Sequence, residues 1–241
     1  MKLGIFGDSY ATQVDYHVGD SWVKLLSSNF DTTVYAQPGA SGYWIYQQFL
    51  DNYKKYDKII YVVTYPLRLS TSFTTVSSVQ YLDYVIEKNK KIFNLWGETQ
   101  QIVIRAIRDY LKFAMTDTEI EKQHVLWHNL MIDKVKQSGK DILFIPAFSY
   151  PNTDFEKIIA LHDITRMENN VWGADWVNYK ELSNQWSDNR QCHLTVENNK
   201  ILHRIVFDKI ESLSGIEIFK IPLSQFSIPD SLETYKIKHE Q

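Results

Sequence analysis

Four short apolar runs mark out the chain, and the helical periodicity between the first three leaves few folds open. The runs are KLGIFG (2–7), TTVYA (32–36), KIIYVVT (58–64) and DILFIPAF (141–148). The first is continuous rather than alternating and is closed by glycine, the pattern of a strand buried on both faces, and the others are similar. Between the first two lies WVKLLSSNF, with Trp22, Leu25, Leu26 and Phe30 on one helical face. GYWIYQQFLDNYKKY (42–56) separates the second from the third. Strand, helix, strand, helix, strand implies right-handed crossovers and a parallel sheet covered on both sides. The expected fold class is therefore α/β: a three-layer α/β/α sandwich around a central, mostly parallel sheet.

The rhythm breaks after the third run. Most of the stretch up to the fourth reads as two long helices, 78–113 and 117–138, led in by the Ser/Thr-rich LSTSFTTVSS (69–78). A simple crossover needs one helix, so 69–138 reads as a helical insertion that caps one edge of the sheet or offers an interaction surface. YPNTD (150–154) follows the fourth run as a loop. A closing helix is expected over 196–213, where Leu202, Ile205, Val206, Ile210 and Leu213 fall at helical spacing. Residues 216–241 carry two prolines and weak periodicity, and read as an arm appended to a domain spanning 1–215.

Charge and composition narrow the function. A net charge of -3 provides no basic field for a phosphate backbone, so no nucleic-acid partner is expected. The single cysteine, Cys192, cannot form an internal disulfide, and Met1 and Lys2 lead into an apolar run without a signal-peptide layout. No stretch approaches the roughly 18 to 20 apolar residues of a membrane span. The expected setting is the cytoplasm, away from membranes. Seven Trp, fifteen Tyr and twelve Phe are enough to fill a core and also to line a sugar-binding or acyl-binding surface, so aromatic content alone does not choose.

In open α/β sheets ligands bind beyond the carboxyl ends of the strands. Asp8 and Ser9 stand there after the first strand, and His193 stands just before the closing helix. A serine at a sharp strand-to-loop turn can present its hydroxyl and its backbone N–H to a carbonyl, and an imidazole can act as its base.

Three blocks carry a family resemblance: FGDSY (6–10), PGASGY (38–43) and CHLTVEN (192–198). In this order, each at the expected end of a strand or helix, they resemble the blocks of the SGNH (GDSL) hydrolases. The resemblance implies a flavodoxin-like sandwich, Ser9 as nucleophile, Gly42 as a backbone donor to the oxyanion and His193 as base. It further implies an esterase that forms an acyl-enzyme and needs no cofactor or metal, acting on a small-molecule or carbohydrate ester. An O-acetyl group on a carbohydrate is the substrate that the analogy suggests.

The chain departs from the pattern twice. The family's third block carries an asparagine that donates to the oxyanion, whereas this chain reads VVTYPLR (62–68), leaving Thr64 or Arg68 to fill the gap. The family's aspartate stands three residues before the histidine, where this chain has Arg190; Asp188 lies five before. A two-residue bulge would bring Asp188 to the imidazole, and a backbone carbonyl is the alternative. Both departures keep open a catalytically degenerate binding or structural protein. A nucleotide-binding flavodoxin-like protein is disfavoured, because no Gly-rich phosphate loop follows the first strand.

Each residue also has a plainer reading. Asp8 and Ser9 commonly cap turns, and Gly42 would serve any tight strand-to-helix turn. His124 and His128 stand one helical turn apart without a Glu at the second position or an evident third ligand, so a core or surface pair is expected rather than zinc. Trp172, Trp176 and Trp186 line either the cleft or the core.

Overall fold

A computed structural model describes residues 1–13, 20–66, 68–70, 75–76, 86, 97–114, 117–168 and 194–228. Strands β1 (Lys2–Gly7), β2 (Asp31–Ala36), β3 (Lys58–Val63), β6 (Asp141–Pro146) and β7 (Ile216–Ile218) form one sheet in the order β2-β1-β3-β6-β7. Every pairing in it is parallel, and Ile5 lies between Val34 of β2 and Ile60 of β3. Helices α1 (Trp22–Ser27) and α2 (Gly42–Asn52) are the first two crossovers. Helices α3 (Glu98–Ala114) and α4 (Asp117–Lys136) belong to the insertion, and α5 (Leu161–Glu168) and α6 (Val196–Ser212) follow among the described residues.

The continuous apolar runs are explained by two cores, one on each face. Along β3, Ile60 and Val62 enter one core while Ile59, Tyr61 and Val63 enter the other. Along β6, Leu143 and Ile145 part in the same way from Ile142 and Phe144. Successive side chains of a strand point to opposite faces, so a strand covered twice must be apolar at every position. The first core takes Trp22, Val23 and Leu26 of α1 and Leu202, Val206 and Ile210 of α6. The second takes Ile45 and Phe49 of α2 and Ile132 and Val135 of α4. This is the expected α/β sandwich.

Two segments differ from the sequence reading. The Ser/Thr-rich lead-in contains an antiparallel pair of short strands, β4 (Leu69–Ser70) with β5 (Thr75–Val76), rather than helix alone. Thr75 and Val76 are β-branched and favour extended backbone, which suits β5 to the pairing. The start of the longer expected helix, 78–96, lies outside the described residues apart from residue 86. Residues 216–226, expected as an appended arm, instead supply edge strand β7, and Phe219, Ile221 and Phe226 are buried in the first core. An edge strand of three residues is too short to show a period, so the sequence pattern hid it.

The end of β1 shows why the first run closes on glycine. A Cβ on Gly7 would stand 2.6 Å from Ala11 Cβ and 2.8 Å from Val62 Cβ, so the chain turns back on itself with no room for a side chain. Gly7→Ala is expected to cost about 1–3 kcal/mol through overpacking. For a chain of this size the fall in Tm should be about 2–4 °C per kcal/mol, measurable by thermal melting.

Candidate functional site

Strand order reverses at β1, where the first crossover runs outward to β2 and the later ones run to β3 and beyond. The carboxyl ends of β1 and β3 therefore flank the switch point at which such sheets bind ligands. Asp8 and Ser9 leave β1 there, and Thr64 leaves β3.

After Gly7 the chain enters a 3₁₀ turn, Ser9–Ala11. Asp8 caps it, accepting the Tyr10 N–H on one carboxylate oxygen at 3.0 Å. The Ser9 carbonyl accepts the Thr12 hydroxyl at 2.9 Å, which fixes the far side of the turn. Ser9 is thus held at the rim with 8% of its surface exposed.

The loop after β2 is set by Pro38 and Gly39. Gly39 has φ 73°, and the Ala40 N–H donates to the Gln37 carbonyl at 3.0 Å. Proline followed by a left-handed glycine is the sequence of a type II turn. The turn delivers Ser41 as the cap of α2, where its hydroxyl oxygen accepts the Trp44 N–H at 3.2 Å. Gly42 is then the first helical residue, and its N–H, like others in a first turn, has no acceptor within the helix.

The second carboxylate oxygen of Asp8 ties these pieces together. It accepts the Thr64 hydroxyl at 2.8 Å and Nη1 of Arg68 at 2.8 Å. Nη1 also donates to Thr64 Oγ1 at 2.8 Å and to the Ala40 carbonyl at 3.3 Å. Asp8 is fully buried, and the Arg68 side chain is 14% exposed. Turn 9–11, the loop before α2 and the loop after β3 thus share one polar node, with Ser9 one residue and Gly42 two residues from its members.

This node bears on what was expected of Thr64 and Arg68. A threonine hydroxyl has one proton, and that of Thr64 is directed to a carboxylate. It has none left for a ligand oxygen, so the Thr64 side chain does not replace the missing asparagine. Arg68 is an ion-pair partner of Asp8 and lies over the Phe148 ring, 5.1 Å from its centroid. His193, Asp188, Arg190, Cys192 and the tryptophans at 172, 176 and 186 lie outside the described residues.

Two features of the site were not legible as such. Tyr65, Phe148 and Tyr150 form an aromatic wall beyond β3 and β6, with Tyr65 edge-on to Phe148 at 5.6 Å and to Tyr150 at 5.2 Å. The second is the face that α4 turns to the site. His124 is part-buried with Nδ1 3.4 Å from the Pro66 carbonyl, while His128 is 4% exposed and packs edge-on against Phe155.

Burial pushes the His128 imidazole from its ordinary 6.5 down to about 4, against a smaller opposing effect of the Asp154 carboxylate. The unfolded chain therefore takes up a proton there that the folded chain refuses between pH 6.5 and about 4. Stability from this group is fully present above pH 6.5 and falls with pH down to about 4, by up to about 3 kcal/mol. Melting curves of the parent and His128→Phe should run parallel above pH 6.5 and separate below it, the parent falling faster. Parallel curves down to pH 4 would contradict the burial of a neutral ring.

Among the described residues no cluster of three or more His, Cys, Asp or Glu side chains could hold a metal ion, and no helix is long and apolar enough to cross a membrane. No family model matches the chain, and no curated protein matches it. Among solved structures, a lipase/acylhydrolase from Enterococcus faecalis aligns with 90% of this chain and 98% of its own at 12% identity, with a TM-score of 0.38.

Proposed function

We propose that the chain is a serine hydrolase of the SGNH (GDSL) type that cleaves carboxylic esters. In this reading Ser9 is the nucleophile and His193 the base, with Asp188 orienting its ring. His193 takes the Ser9 proton as Oγ attacks the ester carbonyl carbon, and the N–H groups of Ser9 and Gly42 hold the negative oxygen. As the tetrahedral intermediate collapses, the C–O bond to the alcohol breaks and His193 returns the proton to the leaving oxygen. Water, deprotonated by His193, then releases the acid and restores Ser9. Thr64 and Arg68 act on this site through Asp8, as positioning residues.

The observation that supports this reading is the shared node: a serine at the end of β1 and a helix N-terminus after β2 are fixed to each other at the sheet's switch point. An acetyl group on a sugar is the proposed ester, because Tyr65 and Tyr150 beyond the strand ends offer aromatic surface to a sugar ring. A second reading, a binding protein that keeps the sheet without the chemistry, is favoured by the engagement of the Thr64 proton with Asp8.

Incubation with a fluorophosphonate probe and with p-nitrophenyl acetate decides between them. Covalent labelling mapped to Ser9, together with release of p-nitrophenol, is expected of the hydrolase. A folded protein that gives neither supports the binding protein.

A further inference from the structure

The hydrolase reading leaves one position without an assigned side chain, since no asparagine follows β3, the Thr64 hydroxyl is turned to Asp8 and Nη1 of Arg68 is paired with the same carboxylate. The surroundings of Gly42 supply another group. A Cβ placed on Gly42 would stand 3.7 Å from Nδ1 of His128, beside Met131 Cε at 3.5 Å and Thr64 Cγ2 at 4.0 Å. The His128 ring nitrogen therefore faces the first turn of α2, a helix of eleven residues.

Three properties set this imidazole apart from a packing residue. It is 4% exposed, and among the described residues it has no hydrogen-bond partner. A buried polar group without a partner is costly, and native structures rarely keep one without a use for it. Its Nδ1 faces Gly42, which has no side chain, so an oxygen bound at the helix N-terminus would give it an acceptor. Finally, burial keeps the ring neutral at ordinary pH. A neutral imidazole in the Nδ1–H tautomer is a hydrogen-bond donor that does not tie up an anion as a fixed ion pair would.

We propose that His128 of the insertion helix α4 is a catalytic residue that donates a hydrogen bond to the anionic oxygen formed at the Gly42 end of α2, in the role left vacant by the missing asparagine. This inference rests on the hydrolase reading and extends it: the insertion is then part of the active site. The ring only donates a hydrogen bond from its N–H to the transition-state oxygen; no proton leaves it and no bond to it forms.

The test is steady-state hydrolysis of p-nitrophenyl acetate by the full chain and two variants. His128→Phe keeps a ring against Phe155 but has no donor, and His128→Gln restores one. Loss of an oxyanion donor lowers kcat by roughly 10²- to 10³-fold, so H128F should lose kcat on that scale with little change in KM. H128Q should recover most of the loss, whereas a merely structural role would leave H128Q no better than H128F. If H128F does not fold, His128→Met takes its place with the same expected loss. A folded donor-free variant with kcat within about threefold of the parent, far short of that loss, overturns the proposal, and so does an H128Q that recovers nothing. The failure of the hydrolase reading looks different: the parent itself neither hydrolyses the ester nor takes fluorophosphonate on Ser9, and the proposal falls with it.

Discussion

Ser9→Ala should abolish ester hydrolysis, lowering kcat for p-nitrophenyl acetate by about 10⁴-fold or more, while the protein stays folded. The two halves of this expectation have separate physical origins. The loss of rate follows because no other group is proposed to form the acyl-enzyme, so the remaining N–H donors and bound substrate supply only the residual catalysis seen when a nucleophile is removed. The stability survives because the turn is held by atoms that alanine keeps. The Ser9 carbonyl still accepts from Thr12, and Asp8 still caps Tyr10. What is lost is at most a hydroxyl hydrogen bond, about 1 kcal/mol, or a few degrees in Tm. Full activity in the variant would refute Ser9 as nucleophile, and an unfolded variant would make its role structural.

What the sequence made legible, and what it concealed, divides by distance along the chain. Strands β1, β3 and β6 were readable because a strand buried on both faces is apolar at consecutive positions, a purely local signal. The positions of Ser9 and Gly42 followed from the same signal, since each stands where a strand or its loop ends. The ion pair between Asp8 and Arg68 was not readable: the partners are 60 residues apart, and nothing local to either indicates the other. The orientation of α4 was concealed for a different reason. Among its described side chains Val125, His128, Ile132 and Val135 are buried, while Leu126, Trp127 and Leu130 face outward, with Trp127 64% exposed. Apolar residues lie on both sides of this helix, so hydrophobic periodicity alone would as readily turn Trp127 inward and leave His128 outside. The tertiary contacts with α2 decide it.

The largest loss of stability should come from Asp8→Asn. Asp8 is fully buried, and its carboxylate is the shared acceptor for Thr64 and for Arg68. Removing one member of a buried ion pair typically costs 3–5 kcal/mol, because the other charge stays where it is without a counterion. The asparagine fits the space but can set an NH₂ against two donors, or turn its oxygen toward them and lose the cap on Tyr10. A fall in Tm of about 10 °C is therefore expected. The double variant Asp8→Asn with Arg68→Met should recover part of it, because no uncompensated charge is left behind. Raising the salt concentration should change little, in contrast to the exposed pair Lys24–Asp20, since ions do not reach a carboxylate with no surface. A loss under about 1 kcal/mol, the range of an exposed pair, would mean that the node does not hold the three loops together. Activity should fall more steeply than stability at temperatures where the variant is folded. Asp8, Thr64, Arg68 and Ala40 link the turn of Ser9 to the loop that delivers Gly42, and a displacement of about 1 Å between a nucleophile and its oxyanion donors is enough to cost about 10²-fold in rate.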